Sequence, residues 1–241
     1  MADAVDKYKD KAIKFTDKGT HYELVFCDDF VTPSSGSFNE KNYTLLVDVV
    51  GDMRAANHDK EIHVFVASFG GQVHALCMLM QQLLEFKYRV GVNLGMADSC
   101  GWMLLFACQE RYASPFSEFV YHDASIMQFG KVSEIRNAAD YSRKWIDEID
   151  AFTDTRNVLT ENELKLGETS EVWLTGAELI RRGAVRDYAE YKRRVIPAAC
   201  QECYQIGDAI YVKSGEGYIR YQKSPKSQPV GYEGIVKMLN K

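Results

Sequence analysis

Acyl transfer needs an activated hydroxyl, a base held in orientation and backbone donors for the developing oxyanion. Ser99 fits the first requirement: it follows the alternating apolar residues Val90, Val92 and Leu94 and opens the apolar run SCGWMLLFACQE. A serine at a strand-to-helix turn sits at the positive end of the helix dipole. The next backbone N–H, on Cys100, belongs to a first helical turn whose donors have no intrahelical partner. The local string ADSCG is not GxSxG, which sets aside the α/β-hydrolase elbow. Serine also caps helices, so by itself Ser99 stands between nucleophile and N-cap.

Three other positions join it. Gly70 and Gly71 end the apolar stretch Ile62–Ala67 (IHVFVA) at the start of a helical pattern. Without Cβ atoms their backbone can approach a ligand and present an N–H, although a glycine pair is also an ordinary turn. Neither GxGxxG nor a Walker pattern accompanies it, so phosphate binding is unsupported. His122 closes the strand-like segment EFVYH, at the kind of strand end where sites collect in open parallel sheets. His63 and His74 lie in apolar strings and read as packed or surface residues. Glu171 precedes Trp173, Leu174 and Thr175; taken alone it reads as a solvated loop acid.

The elements that must position these residues follow from periodicity. His21–Cys27 (HYELVFC) reads as a strand, ended by a Pro/Ser/Gly loop at 33–37. Leu45, Leu46, Val49, Val50 and Met53 form one helical stripe, and Ala75, Leu76, Leu79, Met80, Leu83 and Leu84 form a second. Strands separated by single helices predict parallel neighbours joined by right-handed crossovers, hence an α/β core. From Val132 to about Thr160 the pattern reads as one long helix, with Ile135, Ala138, Ala139, Ser142, Trp145, Ile146, Ile149 and Phe152 on one face. Its length exceeds what a compact core needs. The pattern leaves open whether it lies across its own sheet or packs against another subunit. Thr175 and Glu178 have the spacing of a capping box for a short helix ended near Gly183. Ala209–Lys213 and Tyr218–Gln222 alternate in polarity around SGEG, as a β-hairpin does.

Bulk properties narrow the class. With 46% apolar and 26% charged residues in 241, the expectation is a folded soluble protein. No apolar run approaches a membrane span, and the N-terminal MADAVDKYKDKAIKF lacks the apolar core of a signal peptide, so a cytoplasmic location is expected. Residues 191–241 carry nine Lys or Arg against four acids, a balance of +5 that leaves −10 for the first 190. No nucleic-acid motif accompanies the basic tail, so docking on the acidic body is the cheaper reading. The six cysteines lie mostly among apolar residues and read as reduced thiols. Cys200 and Cys203 form one CxxC without a second pair of ligands at zinc spacing, so neither a metal nor a cofactor is expected.

These signals occur in an order that resembles the Clp protease proteolytic subunit, from His21 to about Tyr191. ASFGGQV (67–73) is similar to that family's glycine turn, GMADSCGWM (95–103) to its nucleophile segment, EFVYHDA (118–124) to its histidine segment, and EVWLTGAELIRRGAV (171–185) to its acid segment. The resemblance implies a serine peptidase with Ser99 as nucleophile, His122 as general base and Glu171 in the position of the triad acid. It places the oxyanion donors on Gly71 and Cys100. It further implies a ClpP/crotonase-like core of repeated strand-strand-helix units with a mostly parallel sheet. The long helix at 132–160 falls where the family has its ring-to-ring handle. Implied partners are polypeptide substrates, further copies of the chain in stacked rings, and an AAA+ unfoldase. The expected organisation is a charged segment at 1–20, a peptidase domain at 21–194, and a basic extension with a hairpin at 195–241.

Departures from the family pattern define the alternatives. Phe69 replaces a proline, Asp98 stands where a small residue is usual, Glu171 is one methylene longer than the usual aspartate, and Asp123 replaces a glutamine. A glutamate can still orient an imidazole. The alternatives are a phage or viral protease that processes capsid proteins, and a ring scaffold with impaired catalysis. A crotonase-type acyl-CoA enzyme would not need the Ser/His pair.

Overall fold

A computed structural model describes residues 13–27, 40–126, 128–199, 203–206, 209–214 and 217–221. The chain divides into two compact units, 1–188 and 189–241. The loop expected at 33–37, Cys200 of the CxxC and the basic tail beyond 221 lie outside the described residues.

The first unit is built on one eight-stranded sheet. Strand β1 (Ile13–Asp17) pairs antiparallel with β2 (Tyr22–Phe26) at one edge. Helix α1 (Glu40–Arg54) follows and buries Leu46, Val49 and Met53, the stripe read from the sequence. Strand β3 (Ile62–Ser68) lies parallel to β2, and α2 (Val73–Leu83) covers it with Ala75, Leu76, Leu79, Met80 and Leu83 buried. Burying one such aliphatic side chain is worth about 1.5–3 kcal/mol, so these two stripes dominate the packing of this layer.

Strand β4 (Arg89–Asp98) decides the rest of the topology. It runs parallel to β3 and is longer than its neighbours, and the register shifts between Val66 and Ser68 absorb the difference. Its first half pairs with β5 (Glu110–Ala113), Val90 to Val92 facing Glu110 to Tyr112. Its second half pairs with β6 (Glu118–Tyr121), Met96 to Asp98 facing Glu118 to Val120. Asn93 sits at the fork and satisfies it, donating to Glu118 O at 3.1 Å and accepting from Gly95 N at 2.7 Å. Between β4 and β5 in the chain, α3 (Cys100–Phe106) is buried along its whole length.

The long helix α4 (Val132–Phe152) ends eight residues before the expected Thr160. Thr153 Oγ1 turns back to the Ile149 carbonyl at 2.9 Å, and Asp154 takes a left-handed conformation at φ 60°, which stops the helix. Two short helices follow, α5 (Thr155–Val158) and α6 (Glu161–Gly167). Of the apolar face expected on α4, Ile146 and Ile149 are buried, whereas Ile135 (40%) and Phe152 (49%) are exposed, as is Val132 (76%) at the start of the helix. Strand β7 (Val172–Thr175) pairs antiparallel with β6, and α7 (Gly176–Arg181) starts on the Thr175/Glu178 capping box. A two-residue β8 (Arg186–Asp187) completes the sheet beside β5. The core α/β class is as the sequence indicated, and the sheet is largely parallel.

In the second unit, α8 (Tyr188–Ala199) precedes an antiparallel sheet of β9 (Cys203–Ile206), β10 (Ala209–Ser214) and β11 (Gly217–Tyr221). The β10–β11 pairing is the hairpin expected from polarity alternation. Among the described residues, no helix is long and apolar enough to cross a membrane.

Candidate active site

Ser99 lies between β4 and α3 with φ 52° and ψ −115°, outside the conformations that a residue with a side chain ordinarily adopts. Such strain persists only where the surroundings impose it. Here they do: Ser99 N donates to Val120 O of β6 at 2.8 Å, and Asp98 pairs with Val120 in register. The Ser99 side chain makes no capping bond to α3. Ser99 thus holds the N-cap position without its hydroxyl bonding the α3 backbone, and the hydroxyl reaches the Cys100 thiol instead.

Gly70, not only Gly71, is tied to this turn. A Cβ on Gly70 would stand 2.6 Å from Ser99 Cβ and 3.0 Å from Cys100 N, and its φ of 103° already favours glycine. Gly70 N–H is taken by Ser68 Oγ at 3.1 Å. The Gly71 carbonyl accepts from Cys100 Sγ at 3.3 Å, so the glycine turn and the residue after Ser99 are bound to each other. Burial pushes the Cys100 thiol up to about 12, with the nearby Cys77 thiol adding to it and hydrogen bonding to the Ser99 side chain and the Gly71 backbone opposing it. At neutral pH Cys100 is a protonated thiol and no rival nucleophile.

His122 stands one residue beyond β6, whose Val120 carbonyl holds Ser99. The His122 Nδ1 lies 2.7 Å from the Asp123 carbonyl oxygen. A carbonyl only accepts, so Nδ1 carries the proton and Nε2 is left with a lone pair, the tautomer a general base needs. Glu171 does not take part in this bond. Its Oε2 accepts from Trp173 Nε1 at 3.1 Å. Among the described residues, no hydrogen bond joins Ser99 to His122 or His122 to Glu171. The fold thus sets Gly70 and Gly71, Ser99 and Cys100, and His122 just past the ends of the neighbouring parallel strands β3, β4 and β6, with Glu171 turned to Trp173.

Asp98, immediately before Ser99, was legible in the sequence only as a departure. It is 5% exposed, and its Oδ1 has no hydrogen-bond partner. Burial pushes its carboxyl up to about 6, helped by the charges of Glu118 and Glu171 and opposed by the Val120 N–H and His122. The electrostatic influence of both His122 and Glu171 on this carboxyl places the three side chains in one electrostatic neighbourhood.

Positions beyond the sequence reading also shape the site. Trp102 of α3 donates to Thr155 Oγ1 at 3.0 Å, which bolts the helix after Ser99 to the start of α5. Tyr121 donates to Asp150 of α4 at 2.7 Å, and Arg143 of α4 donates to Asp123 at 2.6 Å. No spacing rule could have found these partners, which are 20 residues or more apart. Among the described residues, no cluster of His, Cys, Asp or Glu could hold a metal ion.

The family model described as Clp protease matches residues 29–191, which takes in β3, α2, Ser99, His122, α4 and Glu171. A match over more than half of the chain shows the family, and the chain belongs to the Clp protease family of peptidases.

Proposed function

We propose that this protein is a serine endopeptidase that hydrolyses peptide bonds of unfolded polypeptides inside an oligomeric chamber. The observation that carries the reading is the strained, uncapped Ser99, fastened by its own N–H to the strand that leads to His122. Ser99 Oγ attacks the substrate carbonyl, and His122 Nε2 takes the proton and returns it to the leaving amine. The N–H groups of Gly71 and Cys100 receive the oxyanion; the α3 N-terminus adds its dipole. Glu171 orients His122 once the imidazole leaves the Asp123 carbonyl and Glu171 leaves Trp173. In the resting arrangement the Asp123 carbonyl already fixes the useful tautomer.

The chamber is supported by the family together with the bare first half of α4, where a second copy would cover Val132 and Ile135. Stacked rings served by an AAA+ unfoldase in the cytoplasm complete the reading. The test is hydrolysis of a denatured, fluorescently labelled protein. Wild type releases short peptides and Ser99→Ala none; cleavage that survives in Ser99→Ala contradicts the assignment.

One observation favours a second reading, a ring scaffold with impaired catalysis. Glu171 is engaged by Trp173, and a buried carboxyl stands beside the nucleophile. Wild type that forms rings yet cleaves neither unfolded proteins nor short peptides would select it. Cleavage of one partner at a single position, with denatured proteins untouched, would instead select a capsid-processing protease.

A further inference from the structure

His122 lies outside the β6 ladder, so the sheet itself does not fix it. Tyr121, the last residue of β6, still pairs with Val172 of β7, and the neighbours of His122 on both sides are held by helices as well. On one side, Tyr121 donates its hydroxyl to Asp150 Oδ2 of α4 at 2.7 Å, and both side chains are buried. On the other, Asp123 Oδ2 accepts from Arg143 of α4 at 2.6 Å, and Asp123 N donates to the Gly167 carbonyl of α6 at 2.9 Å. The second arm of Arg143 reaches Glu168 Oε1 at 2.8 Å, so one guanidinium ties α4, the His122 segment and the end of α6 together. Gly167 closes the clamp: a Cβ there would stand 2.6 Å from the Tyr121 ring.

We propose that α4 sets the position of the general base from both sides, with Asp150 acting through Tyr121 and Arg143 acting through Asp123, so that Arg143 and Asp150 are positioning residues for His122. The inference rests on the serine-peptidase reading. The carbonyl that receives His122 Nδ1–H belongs to Asp123, the residue that Arg143 grips. Moving Asp123 therefore moves both the backbone of His122 and the acceptor that selects its tautomer. Stability alone does not account for the Tyr121–Asp150 pair. Asp150 Oδ1 is buried without a hydrogen-bond partner, an arrangement that costs free energy and that an apolar pair of similar volume would avoid. What the pair provides is a fixed direction for the chain entering His122.

The test is the rate of Ser99 modification by a fluorophosphonate, followed by intact mass over a series of probe concentrations. This separates the limiting rate from the half-saturating concentration. Asp150→Leu and Arg143→Gln are expected to lower the limiting rate about tenfold or more, because a displaced base loses its geometry. The half-saturating concentration should stay within about twofold, since the probe-binding surface is untouched. Asp150→Asn still accepts from Tyr121 and should recover most of the rate. The double variant Asp123→Asn/Arg143→Gln should be no slower than Arg143→Gln, because both act through one bond. Melting temperature and oligomer size are measured alongside; Tyr121→Phe and Asp123→Asn, which barely change volume, decide the matter should the larger changes prevent folding. Folded variants with an unchanged limiting rate, or losses that add in the double variant, would overturn the inference alone. Wild type that takes no label would overturn the serine-peptidase reading and this inference with it.

Discussion

At the scale of single residues, the site is defined by where strain and burial are tolerated. Ser99 keeps a positive φ because β6 and the Gly70 turn leave it no alternative. Asp98 is the costlier neighbour. Its carboxyl titrates at about 6 in the folded protein against an ordinary value of 3.8, so the folded state retains a proton that the unfolded chain has released. Its contribution is fully present below the ordinary value and is lost as pH rises through about 6. Above that, the buried anion costs roughly 1–3 kcal/mol. Asp98→Asn should therefore raise the melting temperature at pH 8 and leave it nearly unchanged at pH 4. Equal shifts at both pH values would contradict the cause assigned here. Ser99, His122 and Glu171 each end or precede a periodic element, but only the resemblance of their segments to those of the family made them a candidate triad. The bonds they make were not legible. Nothing in spacing distinguishes a Glu171 carboxylate facing His122 from one facing the Trp173 indole two residues on.

At the scale of elements, apolar periodicity carried most of the fold. The stripes of α1 and α2 read directly from the sequence because burial on one helical face leaves that imprint. Strand β4 did not read fully, because its ten residues change partner midway and Leu94, expected as its apolar end, is 48% exposed. Strands β5 and β8, of four and two residues, are too short for a pattern. The end of α4 was missed because Thr153 and Asp154 stop it by local bonding and a left-handed turn, not by Gly or Pro. Glu163 joins α6 to α7 across the segment that carries Glu171. It receives two hydrogen bonds from Arg182 at 2.7 and 2.9 Å and closes a capping box with Thr160. The Arg182 hydrogen bond, with help from Thr160 and against burial, holds its carboxyl at about 2, below the ordinary 4.5. That stabilisation is present above the ordinary value and is lost as pH falls through about 2. Glu163→Gln should destabilise the protein by about 1–2 kcal/mol at pH 7 and by much less at pH 2, read by denaturant titration. A loss of the same size at pH 2 would show that packing, not charge, holds α6 to α7.

At the scale of the whole molecule, α4 is divided into a docked half and a bare half. The docked half buries Ile146 and Ile149 and reaches Tyr121, Asp123 and, through Thr155 of α5, Trp102. The bare half begins beside Phe129 (83% exposed) and carries Val132 and Ile135 on its first two turns. A run of this kind is covered in a stable assembly. Val132→Asp combined with Ile135→Asp should therefore reduce the particle mass in light scattering by half or more, with the monomer's helical content kept. A particle of unchanged mass would place the subunit contacts elsewhere. The central claim is that Ser99 is an activated nucleophile, and fluorophosphonate labelling of the intact protein tests it most directly. The account predicts one adduct per chain on wild type and none on Ser99→Ala. Wild type that assembles but takes no adduct, or an adduct that persists in Ser99→Ala, would contradict it.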